Sequence, residues 1–455
     1  MKKRKLFVSG IISLAALLLL PMYATDEVAH CTFAQESSLN EIFNDDDTVI
    51  VDTADVDTMT IDIQQNDSTD EASDDGDDIS DDDENLPWPE NVKHRIEKIF
   101  ENTTIFNTSM VGMKIYDLTA DSTIYEHNAS QLMRPASTLK MMVAVTAIDR
   151  LGAGYEMKTR MAYTGRIDSL TLRGNLYVKG GFDPTVGNDD IAEFADSVKA
   201  LGIDTIDGNI YLDMTMKDKD RLGEGWCWDD DNPVLTPLLA GRKEEFGERL
   251  QRKLRQKGIT VTGTCSNGSM PSGAHTLFIK RTPLLEVMRR QLKRSDNLYS
   301  EAIFYQLAAD VAGRNTASAK HGRQAVNAII SKVGRRPSAY YIADGSGLSL
   351  YNYVSPELEV DFLRYAYRHP EIYDNMLPCM PIAGVDGTLS KRMRKGAAHE
   401  NVKAKTGTVT GVSSLAGYLT TANGHRICFS IINMGIRHSS SGRNFQDKIC
   451  QALCK

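Results

Sequence analysis

Residues 134–152 read RPASTLKMMVAVTAIDRLG. From Leu139 onward the run is apolar on nearly every side, which predicts a helix inside a core rather than on a surface. Pro135 suits a helix start. Ser137 and Lys140 stand three apart, so their side chains share one helical face. A serine hydroxyl is a poor nucleophile until a base takes its proton. Lysine can act as that base when burial and a second cation lower its pKa, and Met141, Met142, Val143 and Val145 offer the burial. N–H groups and the dipole at the helix start would stabilise a developing oxyanion. Taken alone, the spacing also fits a lysine that merely decorates a helix end.

Two further motifs bear on that choice. Ser295-Asp296-Asn297 interrupts the helical stretch PLLEVMRRQLKRSDNLYSEAIFYQLAADVAG (283–313), which predicts a short loop between two helices. A second serine there could relay a proton to a leaving group, and Asn297 could orient the lysine or a substrate amide. The plain alternative is a residue capping the next helix. Lys405-Thr406-Gly407-Thr408 lies in NVKAKTGTV (401–409), a predicted strand. A fixed cation and hydroxyl there could hold a carboxylate, Gly407 would admit substrate close to the backbone, and an exposed edge could pair with an extended peptide. Lys405 would also be the second cation beside Lys140; the plain alternative is a solvent-facing lysine. The order S-x-x-K, S-D-N, K-T-G, on helix start, loop and strand, is the set shared by serine β-lactamases and penicillin-binding proteins.

Around these motifs, residues 93–101 predict a helix, and SMVGMKIYDL (109–118) with STIYEH (122–127) predict a strand pair. Residues 158–273 change to short β-like segments with glycine turns and read as an inserted β-rich domain. SSLAGYLT (413–420) and ICFSIINMG (427–435) close the chain as strands. Strands therefore open and close the body with helices between, an α+β arrangement in which both ends can share one sheet.

The net charge of −9 conceals a division. No lysine or arginine occurs from Leu6 to Val92, and 48 of the 52 basic but only 38 of the 61 acidic residues lie in 93–455, a net +10 for that part. A basic body suits an anionic partner such as nucleic acid, a membrane surface or cell-wall polymer. Nucleic acid is not selected, since zinc-finger, RNP-like and basic-heptad patterns are missing. MKKRKLFVSGIISLAALLLLPMYA has the basic start and apolar run of a secretory signal, with cleavage after Ala24 or Ala34. An uncleaved anchor is the alternative, and membrane contact is expected only in that case. The Asp-rich stretch that follows, including DDGDDISDDDE, reads as a disordered linker. Of the seven cysteines most read as small buried hydrophobes, with room for one bridge.

Together the motifs and the neighbouring stretches KGGFDP (179–184), RSDNLYSEA (294–302), DGSGLSLYNYVSP (344–356) and MPIAGVDGTLSKRM (380–393) resemble the D-alanyl-D-alanine carboxypeptidase/endopeptidase family, the class C low-molecular-mass penicillin-binding proteins. The resemblance implies the penicillin-binding protein/serine β-lactamase-like fold: a five-stranded antiparallel sheet flanked by helices, with a β-rich domain inserted between the first two motifs. The expected division is signal peptide 1–34, acidic linker 35–87, catalytic domain 88–157 with 274–455, and insert 158–273. It implies an exported, periplasmic or cell-envelope serine hydrolase acting on peptidoglycan peptides and acylated by β-lactam antibiotics, with no metal and no cofactor. Ser137 would be the nucleophile, Lys140 its base, Ser295 the proton relay and Asn297 the amide-orienting group. Lys405 and Thr406 would hold the terminal carboxylate, with Gly407 between them and Thr408. The N–H groups of Ser137 and Thr408 would form the oxyanion hole. One departure is the spacing: family members carry a larger, two-part insertion, and WCWDDDNPVLTPLLAG (226–241) resembles the edge of a deletion. A β-lactamase of the same fold and a non-catalytic wall-binding relative are the rival readings.

Overall fold

The computed structural model describes residues 86–228 and 232–455. The expected signal segment, Cys31 and nearly all of the acidic stretch lie outside the described residues. The described chain opens with helix α1 (Glu90–Glu101) and the hairpin β1 (Met110–Asp117) and β2 (Ser122–His127). A single 3-10 turn (Ala136–Thr138) runs into α2 (Leu139–Leu151). A mixed stretch follows: β3 (Glu156–Tyr163), β4 (Arg166–Asp168), β5 (Thr171–Arg173), β6 (Leu176–Lys179), α3 (Asn188–Lys199), β7 (Thr205–Asp207), β8 (Ile210–Asp213), α4 (Phe246–Gln256), β9 (Thr260–Val261), β10 (Cys265–Asn267) and β11 (His275–Pro283). Then come α5 (Leu284–Lys293), α6 (Asn297–Ala312), α7 (Ala319–Lys332), α8 (Pro356–Arg368) and α9 (Pro370–Met376). Strands β12 (Lys403–Val409), β13 (Val412–Thr420) and β14 (Arg426–Met434) and helix α10 (Ser439–Cys454) complete the chain.

The first hairpin and the last three strands build one antiparallel sheet in the order β12-β13-β14-β1-β2. The fold is α+β, with this five-stranded sheet between helices. Strands β1, β13 and β14 are buried almost end to end because both of their faces are covered. Alternation sorts their side chains. Val111, Met113 and Ile115 of β1 and Ile427, Phe429 and Ile431 of β14 meet α1 and α10 in one core. Tyr116 and Cys428 face the other way, into the larger helical core. That core surrounds α2, whose residues from Leu139 to Ile148 are all buried. The all-apolar run is therefore explained by neighbours on every side of the helix.

Residues 156–283 build two further sheets, β10-β8-β6-β3-β11 and β4-β5-β7-β9, which share a core with α3 and α4 around Phe194, Ile206, Phe246 and Leu250. The sequence reading expected β-rich structure here and did not foresee the two helices. Helix α4 buries only Phe246, Gly247, Leu250 and Leu254 among charged neighbours, a stripe that is easily overlooked. Strand β11 pairs along its length with β3, from His275↔Tyr163 to Pro283↔Glu156. The second sheet thus extends to Pro283. Pro271 and Gly273 belong to the turn that precedes the strand.

Residues 232–241 run between two of the cores. Leu235 and Leu239 enter the helical core, while Leu238 and Ala240 enter the core of the second sheet. The Phe182 N–H donates to the Pro237 carbonyl at 2.7 Å. The six cysteines among the described residues are all free thiols, and Cys379, Cys428, Cys450 and Cys454 are buried. The bridge for which the sequence left room does not form among them.

Candidate active site

Ser137 sits at the centre of the 3-10 turn that precedes α2, two residues before the helix begins at Leu139. Two hydroxyls fix this turn from below: Thr138 Oγ1 and Ser414 Oγ both donate to the Pro135 carbonyl, at 2.7 and 2.6 Å. Two glycines let neighbouring backbone press against it. A methyl group on Gly407 of β12 would lie 2.8 Å from the Pro135 carbonyl and 2.9 Å from the Ser137 nitrogen. One on Gly347, whose φ is +78°, would lie 1.9 Å from the Ala136 carbonyl. Ala136 itself holds a positive φ of 49°, an unfavourable conformation of the kind that persists where the surroundings over-determine it.

Lys140 is fully buried, and its ammonium reaches three groups. Nζ donates to Ser137 Oγ at 2.7 Å, to Asn297 Oδ1 at 2.8 Å and to the Ser346 carbonyl at 2.6 Å. Burial pushes its pKa down to about 8, against the upward pull of Asp344, Glu301 and Asp296. Lys405 is fully buried as well, so the solvent-facing alternative does not apply. Its Nζ donates to Ser295 Oγ at 2.8 Å and to the Thr406 carbonyl at 2.6 Å. Burial, and then the nearby Lys140, hold it well below the usual lysine range. Two buried ammonium groups oppose each other's charging, which favours a free amine at this site.

Ser295-Asp296-Asn297 joins α5 to α6. Asp296 caps α6, its carboxylate accepting from the Tyr299 N–H at 3.4 Å. Capping and site geometry therefore coexist in one loop. Ser295, at φ +58°, is turned so that it meets Lys405 while Asn297 meets Lys140. Thr406 Oγ1 donates to Thr388 Oγ1 at 2.7 Å, and Thr408 is exposed on β12, an edge strand of the main sheet. The eight residues singled out in the sequence thus fall into two hydrogen-bonded sets and one strand: Lys140 binds Ser137 and Asn297, Lys405 binds Ser295, and Thr406, Gly407 and Thr408 lie on the strand that carries Lys405. Among the described residues no group of three or more His, Cys, Asp or Glu side chains could hold a metal ion.

Several participants were not singled out from the sequence. Asp344, nearly fully buried, accepts from Trp226 Nε1 (2.7 Å), Gly347 N (2.8 Å), Ser349 N (2.7 Å) and Asn352 Nδ2 (2.8 Å). It thereby shapes the loop whose Ser346 carbonyl faces Lys140. Glu301 accepts from Gly345 N at 3.0 Å, and burial, with Asp344 adding to it, lifts its pKa to about 8. Gln291 Nε2 ties the Lys140 carbonyl (3.2 Å) to Ser300 Oγ (2.9 Å). DGSGLSLYNYVSP already stood out as family-like, but nothing in its spacing revealed that its aspartate holds a loop against Lys140.

A nucleophile–amine pair of this geometry, with a second serine and a cation on the facing strand, suits acyl transfer from a substrate that bears a carboxylate. Comparison with known proteins agrees with that chemistry. A family model described as D-Ala-D-Ala carboxypeptidase 3 (S13) matches residues 92–243 and 235–455. The D-alanyl-D-alanine carboxypeptidase DacB of Haemophilus influenzae is 27% identical over 406 residues, spanning 70% of this chain and 84% of that protein. The crystal structure of penicillin binding protein 4 (dacB) from Haemophilus influenzae superposes with a TM-score of 0.71 at 24% identity, covering 79% of this chain and 99% of that one. The same Haemophilus influenzae protein in complex with a β-lactam superposes with a TM-score of 0.65 at 25% identity, covering 80% of this chain and 99% of that one.

Proposed function

The chain belongs to the D-Ala-D-Ala carboxypeptidase 3 (S13) family, and from that premise we propose that it cleaves peptidoglycan stem peptides and cross-links through an acyl-enzyme on Ser137. The observation that carries this reading is the Lys140 ammonium, buried and placed 2.7 Å from Ser137 Oγ with its pKa pushed down to about 8. As a free amine it takes the hydroxyl proton while Ser137 attacks the carbonyl between the two D-alanines. The oxyanion is received by the N–H groups of Ser137 and Thr408. Ser295 passes a proton to the departing amine, and Asn297 orients the acyl amide. Lys405 and Thr406 hold the terminal carboxylate, whose charge favours the protonated form of Lys405 and so keeps Lys140 neutral. Water then hydrolyses the ester. A β-lactam follows the same first half and is released slowly.

The division into catalytic residues 88–157 and 274–455 with an insert at 158–273 belongs to the same proposal, as does export through the N-terminal segment. Among the described residues no helix is long and apolar enough to cross a membrane.

The test incubates the purified chain with fluorescent penicillin and, separately, with a stem peptide ending in D-Ala-D-Ala. A stable adduct and free D-alanine are expected from the wild type and neither from Ser137→Ala. An adduct that survives the substitution, or none in the wild type, overturns the reading. Adduct decay within seconds would favour a β-lactamase instead. Digestion of intact sacculi separates trimming of stem peptides from cleavage of cross-links.

A further inference from the structure

Asp296 is gripped by two guanidinium groups that come from different parts of the chain. Arg242 Nη1 and Nη2 reach its two carboxylate oxygens at 2.7 and 3.2 Å, and Arg290 Nε reaches Oδ2 at 2.9 Å. Arg290 lies on α5, close in sequence. Arg242 lies 54 positions away, in the stretch between β8 and α4. Its backbone is held firmly. Ala240 and Lys243 bond to each other at 2.8 and 3.3 Å, and the Gly241 N–H donates to the Val186 carbonyl at 2.8 Å. Arg242 itself adopts a φ of +67°, uncommon for a residue with a Cβ. Both guanidinium groups lie over Tyr299, at 5.9 and 4.7 Å from its ring centre. The turn therefore presents Arg242 to a carboxylate that is only 8% exposed.

That carboxylate stands between the two residues that matter on either side. Ser295 meets Lys405, and Asn297 meets Lys140. We propose that Arg242 is a positioning residue of the reaction, holding Ser295 and Asn297 in register through its bidentate grip on Asp296 and screening the Asp296 charge from Lys140. This rests on the reading of Lys140 as the base. The charged groups facing Lys140 are Asp344, Glu301, Asp296 and Lys405, and the cations facing Asp296 are Arg242 and Arg290. Each acid favours the protonated lysine. With one guanidinium gone, Asp296 acts on Lys140 more strongly, and the amine becomes free only at higher pH. The stretch between β8 and α4 would then supply a side chain to the site rather than serve as a spacer.

The experiment measures Ser137 acylation by fluorescent penicillin from pH 6 to 9.5 in the full chain, for wild type, Arg242→Ala, Arg242→Lys and Asp296→Asn. For Arg242→Ala the limiting acylation rate is expected to fall roughly 10- to 100-fold, in line with a misplacement of about 1 Å. Non-covalent affinity should change less than about threefold, and the inflection should move to higher pH. Arg242→Lys keeps the charge but loses the two-point contact, so it should restore the inflection and only part of the rate. Asp296→Asn removes the charge and should move the inflection the other way. Wild-type rate and profile in Arg242→Ala overturn the proposal. So does a loss of rate with no shift of the inflection in either Arg242→Ala or Asp296→Asn, which would leave Arg242 as simple support. Failure of the wild type to form a Ser137-dependent adduct would instead remove the underlying site reading. If Arg242→Ala does not fold, the other two variants decide the matter: a loss of rate at an unchanged inflection in Arg242→Lys together with a shift to lower pH in Asp296→Asn supports the proposal, and a wild-type rate in Arg242→Lys or an unmoved inflection in Asp296→Asn overturns it.

Discussion

Lys140 is the residue in which sequence and structure meet most directly. An apolar helix with a lysine at its entrance is costly unless that lysine is partnered. Ser137, Asn297 and the Ser346 carbonyl are the partners. Ser137, Ser295, Asn297 and Lys405 were legible because each belongs to a short motif with its own local signature. Asp344, Glu301 and Arg242 were not, because each acts on residues far away in sequence through burial or a long-range ion pair. The pH dependence of acylation follows from Lys140. Its pKa lies at about 8, so below that pH the amine is protonated and cannot accept the serine proton. The second-order rate of Ser137 acylation is expected to climb about tenfold per pH unit from pH 6 and to level off above about 8. A penicillin is a suitable probe because its own carboxylate stays ionised throughout. Rapid-quench labelling reads the rate, and a flat profile over this range would exclude Lys140 as the base.

The strands of the main sheet were readable for a different reason. β1, β13 and β14 are buried on both faces, so they carry long apolar runs that hardly depend on context. The helices α3 and α4 lay hidden because their apolar stripes are narrow, and the limit of β11 was obscured by the turn residues before it. What the pattern of residues could not reveal is how tightly β12 presses on the nucleophile turn. Gly407 answers that. A methyl group there would meet Ser414 Oγ at 2.1 Å, the Pro135 carbonyl at 2.8 Å and the Ser137 nitrogen at 2.9 Å. Since the last two are backbone atoms, the strand or the turn must move. Gly407→Ala is therefore expected to lower acylation of Ser137 by roughly 100-fold, the effect of displacing a reacting group by about 1 Å. Thermal unfolding should shift little, because the strand keeps its pairing with β13. Labelling within threefold of wild type would show that the turn yields more easily than its packing implies. The same substitution paired with Ser414→Gly relieves only the closest contact, so it should recover the activity in part at most.

Across the chain as a whole, what was legible was the order of elements. Strands at both ends and helices between them led to one sheet shared by β1, β2 and β12–β14. The balance of buried charge was not legible, and it has a consequence for stability. Glu359 of α8 is fully buried where that helix meets β14, with Ser430 Oγ donating to Oε2 at 2.6 Å. Burial lifts its pKa to about 7, more than the Ser430 bond lowers it. A carboxyl with a raised folded-state pKa keeps its proton in the native chain while the unfolded chain has already lost it. Native stability should therefore fall as pH rises from about 4.5 to about 7, and this group's contribution should level off beyond, when both states are ionised. A separation of that size corresponds to about 3 kcal/mol for one group. Glu301, with its pKa lifted to about 8, acts in the same direction. Lys140, with a pKa lowered to about 8, acts oppositely and only above that pH: there the native chain has lost the proton while the unfolded chain still holds it, so its contribution to stability rises with pH until the unfolded lysine is deprotonated too. Glu359→Gln keeps an oxygen to accept from Ser430 and removes the titration. Its unfolding free energy, from denaturant titrations at pH 5 and pH 7.5, should gain on the wild type by about 2–3 kcal/mol between the two. If the difference between variant and wild type is the same at both pH values, Glu359 does not hold its proton in the native chain, and the pH trend must come from Glu301 or elsewhere.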